Sequence, residues 1–434
     1  MDISTILAFY VAPLAVIWGA YGVTRRKSEA RVVAAQQEAI EAGLTEPASL
    51  HPIIDASLCI GCKACLNACP EGDILGLIDN KAHLIEPSNC IGHGACKTAC
   101  PRGAISLVFG TETRGIDLPV VGPDFETDVP GIYIAGELGG MGLIRNAIEQ
   151  GRQAMDSVAA RRPAKVNAMH DVCVIGAGPA GISASLRAKE LKLKCLTLEQ
   201  DSMGGTVAHF PRGKVVMTAP AHLPMIGEVR FKEVQKEKLL SFWEDVIRKT
   251  GLVIHTQERV VSIAAVAGGF MVTTTKGQHA ARSVLLAIGR RGTPRRLGVP
   301  GEDLPKVIYR LIDAEQFRGQ HVLVVGGGDS ALEAAASLAE QPGTTVTLSY
   351  RSEAFGRAKS KNRNGVEEAA REGRLEVLLR SKVTRIGPSA VELQLDGQSL
   401  VRRNDAIIVC AGGILPTDFL RSIGIGIETK YGTT

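Results

Sequence analysis

The chain has 434 residues, with 50 Lys+Arg against 45 Asp+Glu for a formal net charge of +5, and gives room for two or three packed units at roughly 150 residues each. Hydrophobic residues at 45% and charged residues at 22% exclude a wholly disordered, collagen-like or polytopic membrane chain. So small a charge excess, with aromatics at only 4%, excludes a nucleic-acid surface of clustered cations and stacking rings.

The first element runs from Ile3 to Val23, ISTILAFYVAPLAVIWGAYGV, 21 residues without a charge. At 1.5 Å per residue this predicts a single transmembrane helix across a core of about 30 Å, with Pro13 as a tolerated kink and Trp18 and Tyr21 at an interface. Asp2 precedes it and Arg25, Arg26, Lys27 and Arg31 follow, so the positive-inside rule predicts the N-terminus outside and all later domains cytoplasmic. A buried core helix or an uncleaved leader is the alternative. Residues 24–49 read as a polar helical linker, a solvated spacer.

Seven of the ten cysteines then fall within 42 residues. CIGCKACLNACP sets out Cys59, Cys62, Cys65 and Cys69 as Cys-x2-Cys-x2-Cys-x3-Cys-Pro. The run returns 31 residues later as CIGHGACKTACP, with Cys90, Cys96 and Cys100 kept and His93 in the second cysteine's place. A zinc site needs only four ligands, usually in separated pairs, and a disulfide framework is unexpected on the reducing side of a membrane. Residues 50–110 resemble the bacterial two-cluster ferredoxins, a small α+β fold in which three close thiolates hold one iron-sulfur cube and the fourth ligates the other. The resemblance implies one 4Fe-4S site from Cys59, Cys62, Cys65 and Cys100, and a second from Cys69, Cys90 and Cys96 with His93 in the fourth place. A neutral imidazole replacing a thiolate would raise that cluster's potential; the alternative makes His93 a loop residue beside a three-iron cluster.

From Asp171 the pattern is strand, Gly176-x-Gly178-x-x-Gly181, helix, second strand, then Glu199. Such glycines let backbone approach a pyrophosphate at a helix N-terminus, and the distal acid accepts the ribose hydroxyls. HVLVVGGGDSALEAAASLA repeats the pattern with Gly326, Gly328 and Ala331. Two turns predict two nucleotides. The second unit's distal strand ends without an acid and offers Arg351, Arg357 and Lys359, a composition that favours NADPH over NADH.

With Gly204, Gly205 and Thr206 between these turns, residues 113–434 resemble flavoprotein reductases of the thioredoxin-reductase type. The resemblance implies an α/β flavoprotein of two Rossmann-like dinucleotide-binding domains, FAD in the first (170–300) and NAD(P)H in the second (301–395), with 396–434 returning to the first. Those reductases carry a Cys-x-x-Cys before the second turn, where this chain has VIYRLIDAEQFRGQ at 307–320. Cys173, Cys195 and Cys410 read as core residues. Similar families without the pair are the thioredoxin-reductase-like ferredoxin-NADP reductases and the bacillithiol disulfide reductases. Their closing segment, T-x-V-P-G-x-Y-x-A-G-D plus a helix, stands here at 127–160 with Gly136 and with Glu137 for the aspartate. Within 113–163 it precedes the first glycine turn, so a circular permutation is expected, closed by linker 163–170. Thr434 should then lie near Thr111 to Ile116. The alternative makes 113–163 a fragment without cofactor contact.

Nicotinamides move hydride, cubane clusters move single electrons, and flavin handles both. The expected function is a membrane-anchored flavin and iron-sulfur oxidoreductase exchanging electrons with an unidentified donor or acceptor. No acid-base catalyst is nominated. Rivals are a reductase of small disulfides or other soluble substrates, and a redox sensor without turnover. A homodimer is compatible with the resemblance.

Overall fold

The computed structural model describes residues 3–41, 45, 47, 50–112, 115–140, 142–161, 170–217, 220–230, 234–290, 292–356 and 358–432. The chain divides into two compact units, one through Thr111 and one from Glu112 to Gly432.

The first unit opens with one helix, Ile3–Glu41. Among the described residues no helix is long and apolar enough to cross a membrane. The expected transmembrane helix, and the outside and cytoplasmic placements that rested on it, are therefore corrected. The physical reason lies in the helix itself. The helix does not end with the apolar stretch but continues unbroken through Arg25, Arg26 and Lys27 to Glu41. Its second half is no free spacer either. Val32 packs on Gly76, where an added Cβ would lie 2.4 Å from Val32 Cγ1. Arg25 donates to Asn80 Oδ1 at 2.6 Å, and Glu29 accepts from the Asp79 N–H at 2.7 Å. Gly76, Asp79 and Asn80 belong to the hairpin Leu75–Ile78 and Lys81–Leu84. Beside it His51–Ile54 pairs antiparallel with Ile105–Val108, and the two cysteine runs form the short helices Ala64–Ala68 and Ala95–Ala99.

In the second unit the apolar runs DVCVI and HVLVV are buried on both faces, as parallel strands covered by helices must be. His170–Ile175 lies between Cys195–Leu198 and Gln278–Leu286, parallel to both; Val260–Val266 and Gly269–Thr274 extend the sheet antiparallel. Ile132–Ile134 joins the end of Gln278–Leu286 in parallel. The helix that follows, Ile144–Ala160, buries Ala147, Ile148, Gly151, Ala154, Met155 and Val158 at helical spacing. Its Gly151 passes so close to the helix Pro179–Glu190 that a Cβ would fall 2.1 Å from the Ala180 carbonyl. The second sheet is wholly parallel, in the order Val307–Ile308, Ala406–Val409, His321–Val325, Thr345–Ser349, Leu375–Leu378. Near the end of the chain Ile427–Lys430 pairs antiparallel with Ile116–Pro119. That puts Lys430 opposite Ile116, beside the expected cut; Thr434 and most of linker 163–170 lie outside the described residues.

Candidate cofactor sites

The cysteines surround two separate cavities. Cys59, Cys62, Cys65 and Cys100 line one of about 350 Å³ including its open mouth, and Cys69, Cys90, His93 and Cys96 line another of about 310 Å³. The repeat explains the likeness of the two loops. Gly61 and Gly92 have φ of 68° and 76°, and Lys63 and Gly94, one repeat apart, both take left-handed backbone at φ 63° and 77°. Each loop thereby folds back before its short helix and turns its sulfurs inward. None of the ten cysteines is paired in a disulfide. Among the described residues no three His, Cys, Asp or Glu side chains are arranged to hold a single metal ion, whereas zinc would need ligands about 2.3 Å from one point. Sulfurs standing round a void fit a polynuclear iron-sulfur core. The Ala82 N–H donates to Cys59 Sγ at 3.4 Å and the Ala104 N–H to Cys100 Sγ at 3.3 Å, contacts that raise a cluster's potential. Burial pushes the Cys65, Cys90 and Cys96 thiols up, so a bound cluster would have to supply the positive charge that keeps them as thiolates.

At the first glycine turn, Gly176 has φ 106°, and Gly181 sits so near it that a Cβ would lie 1.8 Å from the Gly176 carbonyl. Gly178 caps the helix Pro179–Glu190. Glu199 is buried, with Oε2 accepting from the Ala177 N–H at 2.7 Å and Oε1 from the Asp201 N–H at 2.9 Å. Around this turn the fold gathers residues distant in sequence. The Gly204 N–H donates to the Ala177 carbonyl at 2.9 Å, and Gly205 packs against the Gly178 Cα; Thr206 continues the short helix Gly205–His209. A Cβ on Gly136 would meet Ala180 Cβ at 3.0 Å, which puts the 127–160 segment at this helix's first turn. Glu137 follows, partly buried.

At the second turn Gly326 has φ 145° and backs onto the Cys410 carbonyl, while an added Cβ on Gly328 would meet nothing within 4 Å. Gly328 caps the helix Asp329–Ala339, and Ala331 is fully buried. This open space at a helix N-terminus suits a dinucleotide pyrophosphate. Arg351 is exposed; Arg357 lies outside the described residues. Sequence reasoning missed three neighbours. Tyr350 lays its ring on Gly327 and stacks on Phe355 with centroids 5.6 Å apart. Asp329 accepts from the Lys359 N–H and from Asn362 Nδ2, at 2.8 and 2.7 Å. Lys214 reaches Glu333 at 2.6 Å. Tyr350 is near enough in sequence to the turn's distal strand to have been suspected, and Lys359, already a candidate there, has its backbone tied to Asp329; the Lys214 to Glu333 pair leaves no sequence signal. Of the remaining cysteines, burial raises the Cys173 thiol strongly and pushes Cys195 up to about 11, while Cys410 is half-buried with its Sγ 3.8 Å from the Ser330 carbonyl.

The family model for pyridine nucleotide-disulphide oxidoreductases matches residues 173–433. The chain belongs to this family. A 4Fe-4S dicluster domain matches residues 51–101. Among curated relatives, a ferredoxin-NADP reductase of Ignicoccus hospitalis is 29% identical over 270 residues, covering 60% of this chain and 83% of that one. The bacilliredoxin reductase of Bacillus subtilis is 26% identical over 266 residues, covering 60% and 82%. Among solved structures, a bacillithiol disulfide reductase from Staphylococcus aureus aligns with a TM-score of 0.54 at 25% identity, covering 60% of this chain and 81% of its own. This family member is thus an FAD-dependent pyridine nucleotide oxidoreductase with a 4Fe-4S ferredoxin domain.

Proposed function

We propose that the protein exchanges electrons between NADPH and a one-electron donor or acceptor. The carrying observation is that one chain holds two nucleotide turns in one unit and two cysteine-lined cavities in the other, with no cysteine in the 307–320 segment. When bound, nicotinamide supplies a hydride pair, FAD accepts pairs and releases single electrons, and iron-sulfur clusters carry single electrons. Gly176, Gly178 and Gly181 would admit the FAD pyrophosphate, Glu199 would face its ribose, and Gly204, Gly205, Thr206, Gly136 and Glu137 would wall the rest. Gly326, Gly328 and Ala331 would admit NADPH, with Arg351 and Arg357 for its 2′-phosphate. Cys59, Cys62, Cys65 and Cys100 would hold one cluster; Cys69, Cys90, Cys96 and His93 the other. In this reading the chain order is a circular permutation, supported by the pairing of Ile427–Lys430 with Ile116–Pro119 and by Ile132–Ile134 lying within the first sheet.

Anaerobic titration with NADPH and NADH, following flavin absorbance and cluster EPR together, tests the proposal. NADPH should bleach the flavin and bring up cluster signals; clusters that stay oxidised beside fully reduced flavin overturn it. The likeness to the Staphylococcus aureus bacillithiol disulfide reductase favours a second reading, reduction of a small disulfide. Undiminished turnover of such a disulfide after iron chelation would select that reading.

A further inference from the structure

Glu199 stands where its strand leaves the first sheet, and a carboxylate on a departing chain selects a ribose only if its main chain is held. Segment 255–258 holds it. The Glu199 N–H donates to the His255 carbonyl at 2.8 Å, the Glu258 N–H to the Glu199 carbonyl at 2.9 Å, and the Gln257 N–H to the Asp201 carbonyl at 3.2 Å. To make these bonds the segment turns through Gln257 at φ 56°, left-handed backbone that a residue with a side chain keeps only where its surroundings fix it. The Glu258 side chain supplies that fixing. It is buried, and its Oε1 accepts from the Thr274 hydroxyl and from the His279 Nε2, both at 2.7 Å. These two residues flank the turn of the hairpin Gly269–Thr274 and Gln278–Leu286. His255 Nδ1 lies 3.9 Å from Glu258 Oε2. Burial alone would raise the Glu258 carboxyl, yet the His279 and Thr274 hydrogen bonds hold it below its ordinary range.

We infer that Glu258 is a positioning residue for the flavin nucleotide: anchored to the hairpin, it fixes segment 255–258 and through it the aim of the Glu199 carboxylate at the adenosine ribose. A fully satisfied buried polar network rigidifies what it joins. Each Glu199 oxygen already accepts one backbone N–H, from Ala177 or from Asp201, and keeps a lone pair for a ribose hydroxyl. A hydrogen bond to that hydroxyl tolerates little error in distance or angle, so a slip of the Glu199 main chain costs ribose recognition before it costs the fold. Glu258 works through Glu199 and makes no bond to the nucleotide. The inference rests on the proposed placing of FAD at the first turn, with Glu199 facing its ribose.

The test uses the full-length holoprotein and an FAD analogue lacking the adenosine 2′-hydroxyl. The holoprotein is equilibrated with FAD and analogue in equal excess, and the ratio bound is read by chromatography. That ratio reports ribose recognition, because a general loosening of the site weakens both ligands together. Wild type should prefer FAD by about tenfold or more, the worth of one hydrogen bond to a charged group, and Glu258→Leu should bring the preference below about threefold. Glu258→Gln should keep it, since a carbonyl oxygen in the place of Oε1 still accepts from Thr274 and His279. If Glu258→Leu fails to fold or carries no flavin, Thr274→Val and His279→Leu each remove one of the two donors, and each should lower the preference. Added to Glu199→Ala, Glu258→Leu should change the ratio no further. Unchanged preference in Glu258→Leu or in both donor variants, or equal loss in Glu258→Gln and Glu258→Leu, overturns the inference. Preference lost in Glu199→Ala but kept in Glu258→Leu leaves Glu199 as the ribose acid and removes Glu258 from its positioning; preference kept in Glu199→Ala overturns both.

Discussion

The two glycine turns share a pattern and differ in their walls. Around the first, Glu199 and Gly204 are both tied to Ala177, and Gly205 and Gly136 press on Gly178 and Ala180. Around the second, the space beyond Gly328 is open, no acid ends the neighbouring strand, and the Tyr350 ring covers Gly327. The same loop chemistry can therefore serve a resident nucleotide or a visiting one. A turn walled by three other chain segments is built to retain a ligand; a turn at an open helix N-terminus is built to let one come and go.

The harshest way to break this contrast is Gly181→Ala. The new Cβ would meet the Gly176 carbonyl at 1.8 Å, backbone that cannot step aside, at a cost of about 3 kcal/mol. Purified variant should carry only traces of flavin by absorbance and melt well below the wild type; full flavin content would show the first turn to be less rigid than described. Next comes Arg351→Ala, which on the proposed reading removes a charge-assisted contact to the NADPH 2′-phosphate. KM for NADPH should rise about tenfold, equivalent to about 1.4 kcal/mol, with KM for NADH unchanged; equal effects on both would remove Arg351 from the 2′-phosphate. Gly327→Ala should cost less, about 1 kcal/mol, because its Cβ meets first the far end of the Tyr350 ring, which can swing off Phe355. A small drop in melting temperature with wild-type flavin content is expected, the opposite of Gly181→Ala.

The smallest effect concerns acid. Glu302 is buried, which alone would raise its pKa, yet hydrogen bonds from the Leu297 N–H, the Tyr309 hydroxyl and the Gly298 N–H hold the carboxyl below its ordinary range. Its folded pKa is thus lower than its unfolded value of about 4.3. The stabilisation is complete above that value and is lost as pH falls through the folded one. Wild-type melting temperature should drop more steeply below about pH 5 than that of Glu302→Gln. Parallel curves would mean that the entry to the second half owes nothing to this carboxylate.

Much of this was readable in the chain because the features are local. A strand followed by spaced glycines has few other solutions, and Cys-x2-Cys-x2-Cys puts its sulfurs on one loop whatever surrounds it. The pairing of Cys100 with the first cysteine run and of Cys69 with the second came from resemblance, and the cavities group the same residues. The 127–160 segment was readable from its motif, and Ile132–Ile134 does enter the first sheet. What the structure overturns is the transmembrane reading of Ile3–Val23: an uncharged composition suits a bilayer, but the stretch and the polar helix after it form one continuous helix to Glu41. Tyr350 over Gly327 and Lys214 on Glu333 escaped because they join segments whose meeting only the folded chain decides.

The ladder between Ile116–Pro119 and Ile427–Lys430 includes a hydrogen bond from Thr429 to Asp117 across 312 positions. At about 5–20 residues per second of synthesis, the earlier strand waits roughly 15 to 60 seconds on the ribosome for its partner, while the cysteine unit ahead of it has already emerged whole. Newborn chains should therefore mature from the front, and the larger unit should be the one that depends on chaperones until its last strand arrives.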